Sequence, residues 1–272
     1  MEKIIPPMGY LIYSRLKTKH SRVSWILIYL VPLYLLGLYL GSYNSVSLYT
    51  VMFILTFLSF YTLYDIGYLY NDIFTTKKER YPNLRVEKDD YTIFKKCYKK
   101  IVFLKIAIFS LLIVVVWLCS FLYHQEVYIL DYLSLIFGVS IAFFAHNTIR
   151  SRYNILTFFI LSSLKYIAPL SIFLEWDIFL NLWVVSVAVF PLLRVIEHST
   201  KDKYQLKRWK KLIGSHDRFR VFYYLFIVVC SYLFLDNRDI YISILLYWSS
   251  YFLLYRLFIY MILKSGIYKR RD

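Results

Sequence analysis

Glycine, proline and cysteine are all scarce in this 272-residue chain, at 7, 6 and 3 copies. So few turn-forming residues exclude collagen-like and linker architectures. Cys97, Cys119 and Cys230 lie too far apart for a disulfide framework or a four-thiolate metal site. Charge is also thin: 18% of residues are Asp, Glu, Lys or Arg, against about a quarter in soluble domains. The chain contains no HExxH, GxSxG or GxxxxGK[ST] pattern and no dinucleotide-type glycine run. His20, His124, His146, His198 and His216 show no metal-ligand spacing. What is abundant is hydrophobic residues, at 60%, and cations, with 33 Lys and Arg against 17 Asp and Glu. That combination predicts an all-α polytopic membrane protein.

A run of about 18 or more apolar residues reads as a spanning helix, because hydrocarbon offers the backbone no hydrogen-bond partners. Eight runs are visible, near Val23 to Leu40, Ser47 to Tyr70, Ile101 to Tyr123, Val127 to Ala145, Ile155 to Leu174, Ile178 to Ile196, Val221 to Leu235 and Ile240 to Leu263. Lys and Arg in short flanking loops stay in the cytoplasm. Counting connections alternately places 28 cations on one side and only Arg238 on the other, so both termini are expected in the cytoplasm. The same topology accounts for the clustered basic residues, and no nucleic-acid partner is inferred. Met1 to Met8 lacks the apolar core and cleavage site of a secretory signal. Aromatic belts at the two interfaces account for many of the 29 tyrosines, and a biased base composition accounts for more.

Two expected cytoplasmic loops, 71–100 and 197–220, are longer than the rest. The first places Asn71 and Asp72 at a membrane-embedded helix end and Glu79 seven residues on. In a continuing helix Asp72 and Glu79 share a face two turns apart, and oxygen ligands so arranged suit Mg²⁺ shared with a phosphate. Arg80 and Arg85 would face the same anion. A solvated loop whose acids pair with nearby lysines reads equally well. In the second loop Arg194, Glu197 and Lys201 fall on one helix face, as a substrate contact or as a helix-end ion pair. Lys165 sits in the middle of the fifth run, where a lysine requires a polar partner, and is read as an anion contact. Lys105 is read as snorkelling to the interface. Asp65, seven residues before Asp72 and on its face, extends the polar surface or pairs with Lys165 or a tyrosine.

Taken in order, these features resemble the UbiA superfamily of intramembrane transferases, whose first motif is NDxxDxxxD after the second helix. Asn71 and Asp72 match it, Thr75 replaces the middle Asp and Glu79 the last, and Arg80, Pro82 and Arg85 resemble its continuation. The basic approach from Arg15 to Arg22, the short loop with Arg150 and Arg152, and Lys165 follow the same order along the chain. No DxxxD second motif is present. Arg194 and Glu197 instead resemble the KRxxE pattern of the polyprenyl-phosphate phosphoribosyltransferase branch, with Leu193 at the Lys position, and Arg256 resembles a further Arg of that branch. A ninth helix of the family is missing from the reading.

The resemblance implies one membrane-embedded domain over 1–272, a helical bundle around a central cavity open to the cytoplasm, capped by the two loops, in a bacterial inner membrane. It implies Mg²⁺ at Asn71, Asp72 and Glu79, with Asp72, Glu79 and Glu197 as the acids of the reaction. Lys17, Arg80, Arg85, Lys165, Arg194, Lys201 and Arg256 are the implied substrate contacts. The implied reaction moves 5-phosphoribosyl from phosphoribosyl pyrophosphate, a pyrophosphate-bearing donor, to polyprenyl phosphate. Transfer of a prenyl group from a prenyl diphosphate to an aromatic or lipid acceptor is the alternative. A non-enzymatic lipid-phosphate transporter is a further one.

Overall fold

The computed structural model describes residues 2–78, 84–149, 151–235 and 239–265, and among them every regular element is helical. In chain order these are α1 (Gly9–Ser14), α2 (Lys19–Trp25), α3 (Val31–Leu40), α4 (Val46–Tyr70), α5 (Lys88–Lys96), α6 (Tyr98–Leu122), α7 (Ile129–Thr148), α8 (Asn154–Ile167), α9 (Trp176–Val189), α10 (Pro191–Ser199), α11 (Lys207–Ile213), α12 (His216–Leu233) and α13 (Ile240–Lys264). Glu79, Arg80, Pro82, Arg150 and Arg238 lie outside the described residues. Six segments are long and apolar enough to cross a membrane: Lys19–Leu40, Val46–Thr75, Tyr98–Leu122, Ile129–Thr148, Trp176–Ser199 and Ile240–Lys264. On α6, Phe103, Leu111, Val114, Leu118, Phe121 and Leu122 are all exposed, a surface suited to lipid and costly in water. The protein is thus a multi-pass, all-helical membrane protein.

Two of the eight expected spans are not among these six. The run from Ile155 becomes α8 and a three-residue 3₁₀ turn, Ala168–Leu170. Pro169 has no N–H to give and its ring crowds the preceding turn, which ends the α-helix. The Val221 run belongs to α12, whose first turns carry Asp217, Arg218 and Arg220.

The chain forms two compact units, Met1–Arg150 with Ile167–Phe179, and Ser151–Tyr166 with Leu180–Asp272. In the first, α4 is the central helix. Ser45 caps its N-terminus by accepting from Leu48 N at 3.2 Å, and Tyr49, Phe53, Phe57, Phe60 and Tyr61 are buried along it. The rings interlock, Tyr34 stacking on Tyr49 at 5.4 Å and Tyr64 meeting Phe143 of α7 edge-on at 4.8 Å. Gly67 permits that approach, since a Cβ there would come within 2.9 Å of Phe143. Several tyrosines predicted for the interface are core residues instead. Tyr132 is fully buried, with its hydroxyl 2.7 Å from Ser59 Oγ, so a phenol satisfied inside the bundle serves as a large apolar residue.

The N-terminal segment is fastened to this unit by a buried ion pair. Lys105 Nζ lies 2.6 Å from Asp65 Oδ2, with the two side chains 1% and 0% exposed. Asp65 also accepts from the backbone N–H groups of Tyr10 (3.1 Å) and Leu11 (2.9 Å), the first turn of α1, while Lys105 donates to Pro6 O at 2.9 Å. Lys105 therefore does not snorkel: a carboxylate and a carbonyl are within its reach inside the bundle.

Removing one member of such a pair leaves an uncompensated buried charge, which costs about 3–5 kcal/mol. Lys105→Met is accordingly expected to lower the thermal unfolding midpoint sharply in detergent and to expose the bonds around Tyr10 to protease. An unchanged midpoint would mean that the pair does not hold the segment.

Candidate functional site

Each unit carries one cluster of ionisable side chains. In the first, α4 passes into a single π-helical turn, Asn71–Thr75, in which Thr76 N reaches back to Asn71 O. Such turns are rare and occur frequently at functional sites. The wider turn places Asn71 and Asp72 at the helix end, with Asp72 buried. The Asp72 carboxylate is spanned by Arg15, Nη1 at 2.9 Å from Oδ2 and Nη2 at 3.1 Å from Oδ1. Tyr10 OH donates to Oδ2 at 2.8 Å and Asn71 Nδ2 to Oδ1 at 3.2 Å. The Arg15 guanidinium lies over the Tyr68 ring, 3.6 Å from its centroid.

α5 covers this corner. Tyr13 OH donates to Asp90 at 2.5 Å, Tyr91 OH to Ile73 O at 3.0 Å, and Phe94 joins Ile4, Tyr10, Leu69, Ile73 and Ile101 in one apolar cluster. Lys17 Nζ donates to Arg85 O at 3.2 Å. The half-buried guanidinium of Arg85 has no hydrogen-bond or ion-pair partner among the described residues. Burial, and then the like charge of Arg15, lower the Arg85 pKa. Burial alone would lower that of Arg15, but the neighbouring Tyr68 and Asp72 outweigh it and raise the value. Burial pushes the Tyr13 phenol up to about 12, assisted by its hydrogen bond to Asp90. Burial and then Asp72 hold Tyr10 well above the usual phenol value.

Mg²⁺ is not fitted by the donors described here. An ionised carboxylate has about four lone-pair positions, and Asp72 accepts four N–H or O–H donors. The Asn71 amide oxygen accepts from Thr75 Oγ1 at 2.6 Å, so the residue at the motif's middle acid is a donor turned inward. No group of three or more His, Cys, Asp or Glu among the described residues is placed to hold a metal. Glu79, the third expected ligand, lies outside them.

The second cluster lies in the other unit. Glu197, near the end of α10, is clamped by two guanidiniums: Arg194 Nη1 at 2.8 Å from Oε2 and Arg220 Nε against Oε1. Arg220 also reaches Asp217 at 2.7 Å. Arg256 on α13 is buried, with its Nε lacking a hydrogen bond, and so is the hydroxyl of fully buried Tyr224. Beside it, His198 Nε2 lies 2.6 Å from Tyr204 OH, which donates to Asn154 Oδ1 at 2.6 Å, and Phe158 stacks on the imidazole at 4.1 Å. This network braces the loop after α10. The loop itself is largely ordered: α11 ends at Gly214, whose φ of +59° favours glycine, and α12 follows.

Of the expected contacts, Asn71, Asp72, Lys17 and Arg85 are gathered in the first unit, and Arg194, Glu197 and Arg256 in the second. Lys165 is half-buried at the end of α8, and Lys201 is exposed before the 3₁₀ turn Asp202–Tyr204. The sequence reading missed Arg15 and Arg220 as site residues. Arg220 entered only as a topological cation and Arg15 only as one of the basic residues before the first span, and α12 and α1 bring them to acids 23 and 57 residues away.

No family model matches this chain, and neither does any curated protein or solved structure. The chemistry therefore rests on the residues themselves.

Side-chain exposure separates the roles around Glu197. Arg194 is 41% exposed, whereas Glu197 and Arg220 are 6% and 8% exposed. Arg194→Ala is expected to cost about 0–1 kcal/mol, as exposed pairs do, and Arg220→Met about 3–5 kcal/mol, as broken buried pairs do. Thermal unfolding of the two variants measures the contrast, and equal losses would contradict it.

Proposed function

We propose that the chain is an intramembrane transferase acting on a polyprenyl lipid, moving 5-phosphoribosyl from phosphoribosyl pyrophosphate to polyprenyl phosphate. One observation carries this reading. At the foot of an apolar membrane helix, Arg15 and the Tyr10 phenol donate to Asp72, with Tyr13 bound to Asp90 and Lys17 to the Arg85 carbonyl in the same unit. An isoprenoid tail in an apolar setting beside a phosphoryl group in a basic one is what that arrangement suits. The finer topology belongs to the same proposal: eight crossings, a UbiA-like bundle with a central cavity opening to the cytoplasm, both termini cytoplasmic, and a bacterial inner membrane.

In this reaction the donor's C1–O bond breaks and its electron pair leaves with pyrophosphate. Arg15 and Arg85 offset the departing charge, as fixed guanidiniums do at transferring phosphoryl groups. A phosphate oxygen of the lipid then forms the new bond to C1. That oxygen is already ionised at neutral pH and requires no general base. The raised phenol pKa values agree: Tyr10 and Tyr13 stay protonated and donate. As described, Asn71 and Asp72 leave no free donor for Mg²⁺.

A second reading, a lipid-phosphate carrier that cleaves nothing, is favoured by one observation. The Asp72 oxygens are filled by Arg15, Tyr10 and Asn71, an arrangement that holds the Arg15 fork for an anion and that binding alone, without cleavage, would also use. A single assay separates the readings. Purified protein with polyprenyl phosphate and labelled phosphoribosyl pyrophosphate is expected to yield a lipid-soluble labelled product. Charge-assisted hydrogen bonds contribute about 1.5–3 kcal/mol, so Arg85→Ala should slow product formation by about 10- to 150-fold. Product only from a prenyl diphosphate and an aromatic acid selects prenyl transfer. Lipid-phosphate binding without any product selects the carrier.

A further inference from the structure

The Asn71–Asp72 corner resembles a metal motif in sequence, but its side chains are committed to organic cations and donors. Both Asp72 oxygens are filled, and Arg15 supplies two of the four donors from across the carboxylate. An arginine has five N–H groups. Arg15 uses one Nη1–H on Ser14 Oγ at 2.6 Å and one N–H from each terminal nitrogen on Asp72. The Nε–H and the second Nη2–H remain. Those two lie on one edge of the planar guanidinium, the two-pronged edge that matches the oxygens of a phosphate.

Charge points the same way. Arg15, Lys17 and Arg85 bring three positive charges to a corner where Asp72 and Asp90 supply two negative ones. Arg85 is half-buried, its backbone carbonyl accepts from Lys17 Nζ at 3.2 Å, and its guanidinium has no ion-pair partner among the described residues. Asp72 offsets part of the repulsion between these like charges, and an incoming anion would offset more of it.

We infer that this corner is a metal-independent phosphoryl-anion site, in which Arg15 takes the place of a divalent ion against Asp72 and receives the ligand's phosphoryl oxygens together with Arg85. The inference deepens the transferase proposal by naming what the site binds and without which cofactor. Asp72 is a positioning residue in this scheme: it holds the Arg15 fork, and the fork holds the anion. Thr75 fits as well, because a hydroxyl that donates to Asn71 suits a corner without a metal, where a third acid would oppose the incoming anion.

The test uses the full chain in detergent, stripped with EDTA, with inorganic pyrophosphate and polyprenyl phosphate as probes. Calorimetric titration is run with EDTA and again with Mg²⁺. At least one probe is expected to bind in EDTA, with affinity changed less than threefold by Mg²⁺. Arg85→Ala should weaken it at least tenfold while leaving the thermal midpoint of the free protein in place, since Arg85 braces nothing. Arg15→Lys, which keeps the charge and removes the fork, should weaken binding comparably. If pyrophosphate binds, a soluble diphosphate suffices as ligand; if polyprenyl phosphate alone binds, the headgroup needs its tail; either upholds the site. Binding that requires Mg²⁺, binding that Arg85→Ala leaves unchanged, or no binding of either probe overturns it. Loss of turnover with metal-free binding intact would sink the transferase reading alone. Turnover with Mg²⁺-dependent binding would sink this inference alone.

Discussion

The buried pair between Asp65 and Lys105 is the interaction on which the first unit's chemistry depends. Helix α1 is only six residues long, far too short to persist alone in water. Its first-turn N–H groups find their acceptor in Asp65, a carboxylate at the positive end of a helix. Lys105 balances that carboxylate and fastens Pro6 as well. Once α1 is docked, Tyr10 and Arg15 arrive at Asp72, seven residues further on in the π-helical turn after α4. One acid places the helix, and the next receives its cargo.

The two clusters share a plan although they lie in different units. In each, a buried carboxylate is clamped by guanidinium groups: Asp72 by Arg15, and Glu197 by Arg194 and Arg220. In each, one further arginine, Arg85 or Arg256, has no ion-pair partner among the described residues. Arg256 is buried with its guanidinium over the Tyr255 ring, and Arg85 is half-buried.

Much of this architecture is legible in the sequence because hydrocarbon imposes simple rules. Apolar length reports the long helices, and the seven-residue spacing of Asp65 and Asp72 reports their common face. What cannot be read is the partner of each charge. Asp65 meets Lys105 across 40 residues and the first turn of α1 across 55, distances over which no helical periodicity operates. Arg15 and Arg220 look like any positive-inside cation until the chain folds back. Hydropathy also overlooks how Pro169 shortens α8 and how the charges at 217–220 belong to the same helix as the apolar run after them. The motif letters at 71–75 survive in a form that resembles metal chemistry, while their hydrogen bonds turn inward to Arg15 and to one another.

The central claim is that a guanidinium, and not a divalent ion, opposes Asp72. Electron paramagnetic resonance of Mn²⁺ titrated into the EDTA-stripped protein with pyrophosphate reads this directly. The account predicts the same Mn²⁺ signal, after correction for Mn²⁺ complexed by pyrophosphate alone, in the native protein and in Asp72→Asn, with no stoichiometric bound ion in either. One Mn²⁺ bound per chain in the native protein and released in Asp72→Asn would contradict it.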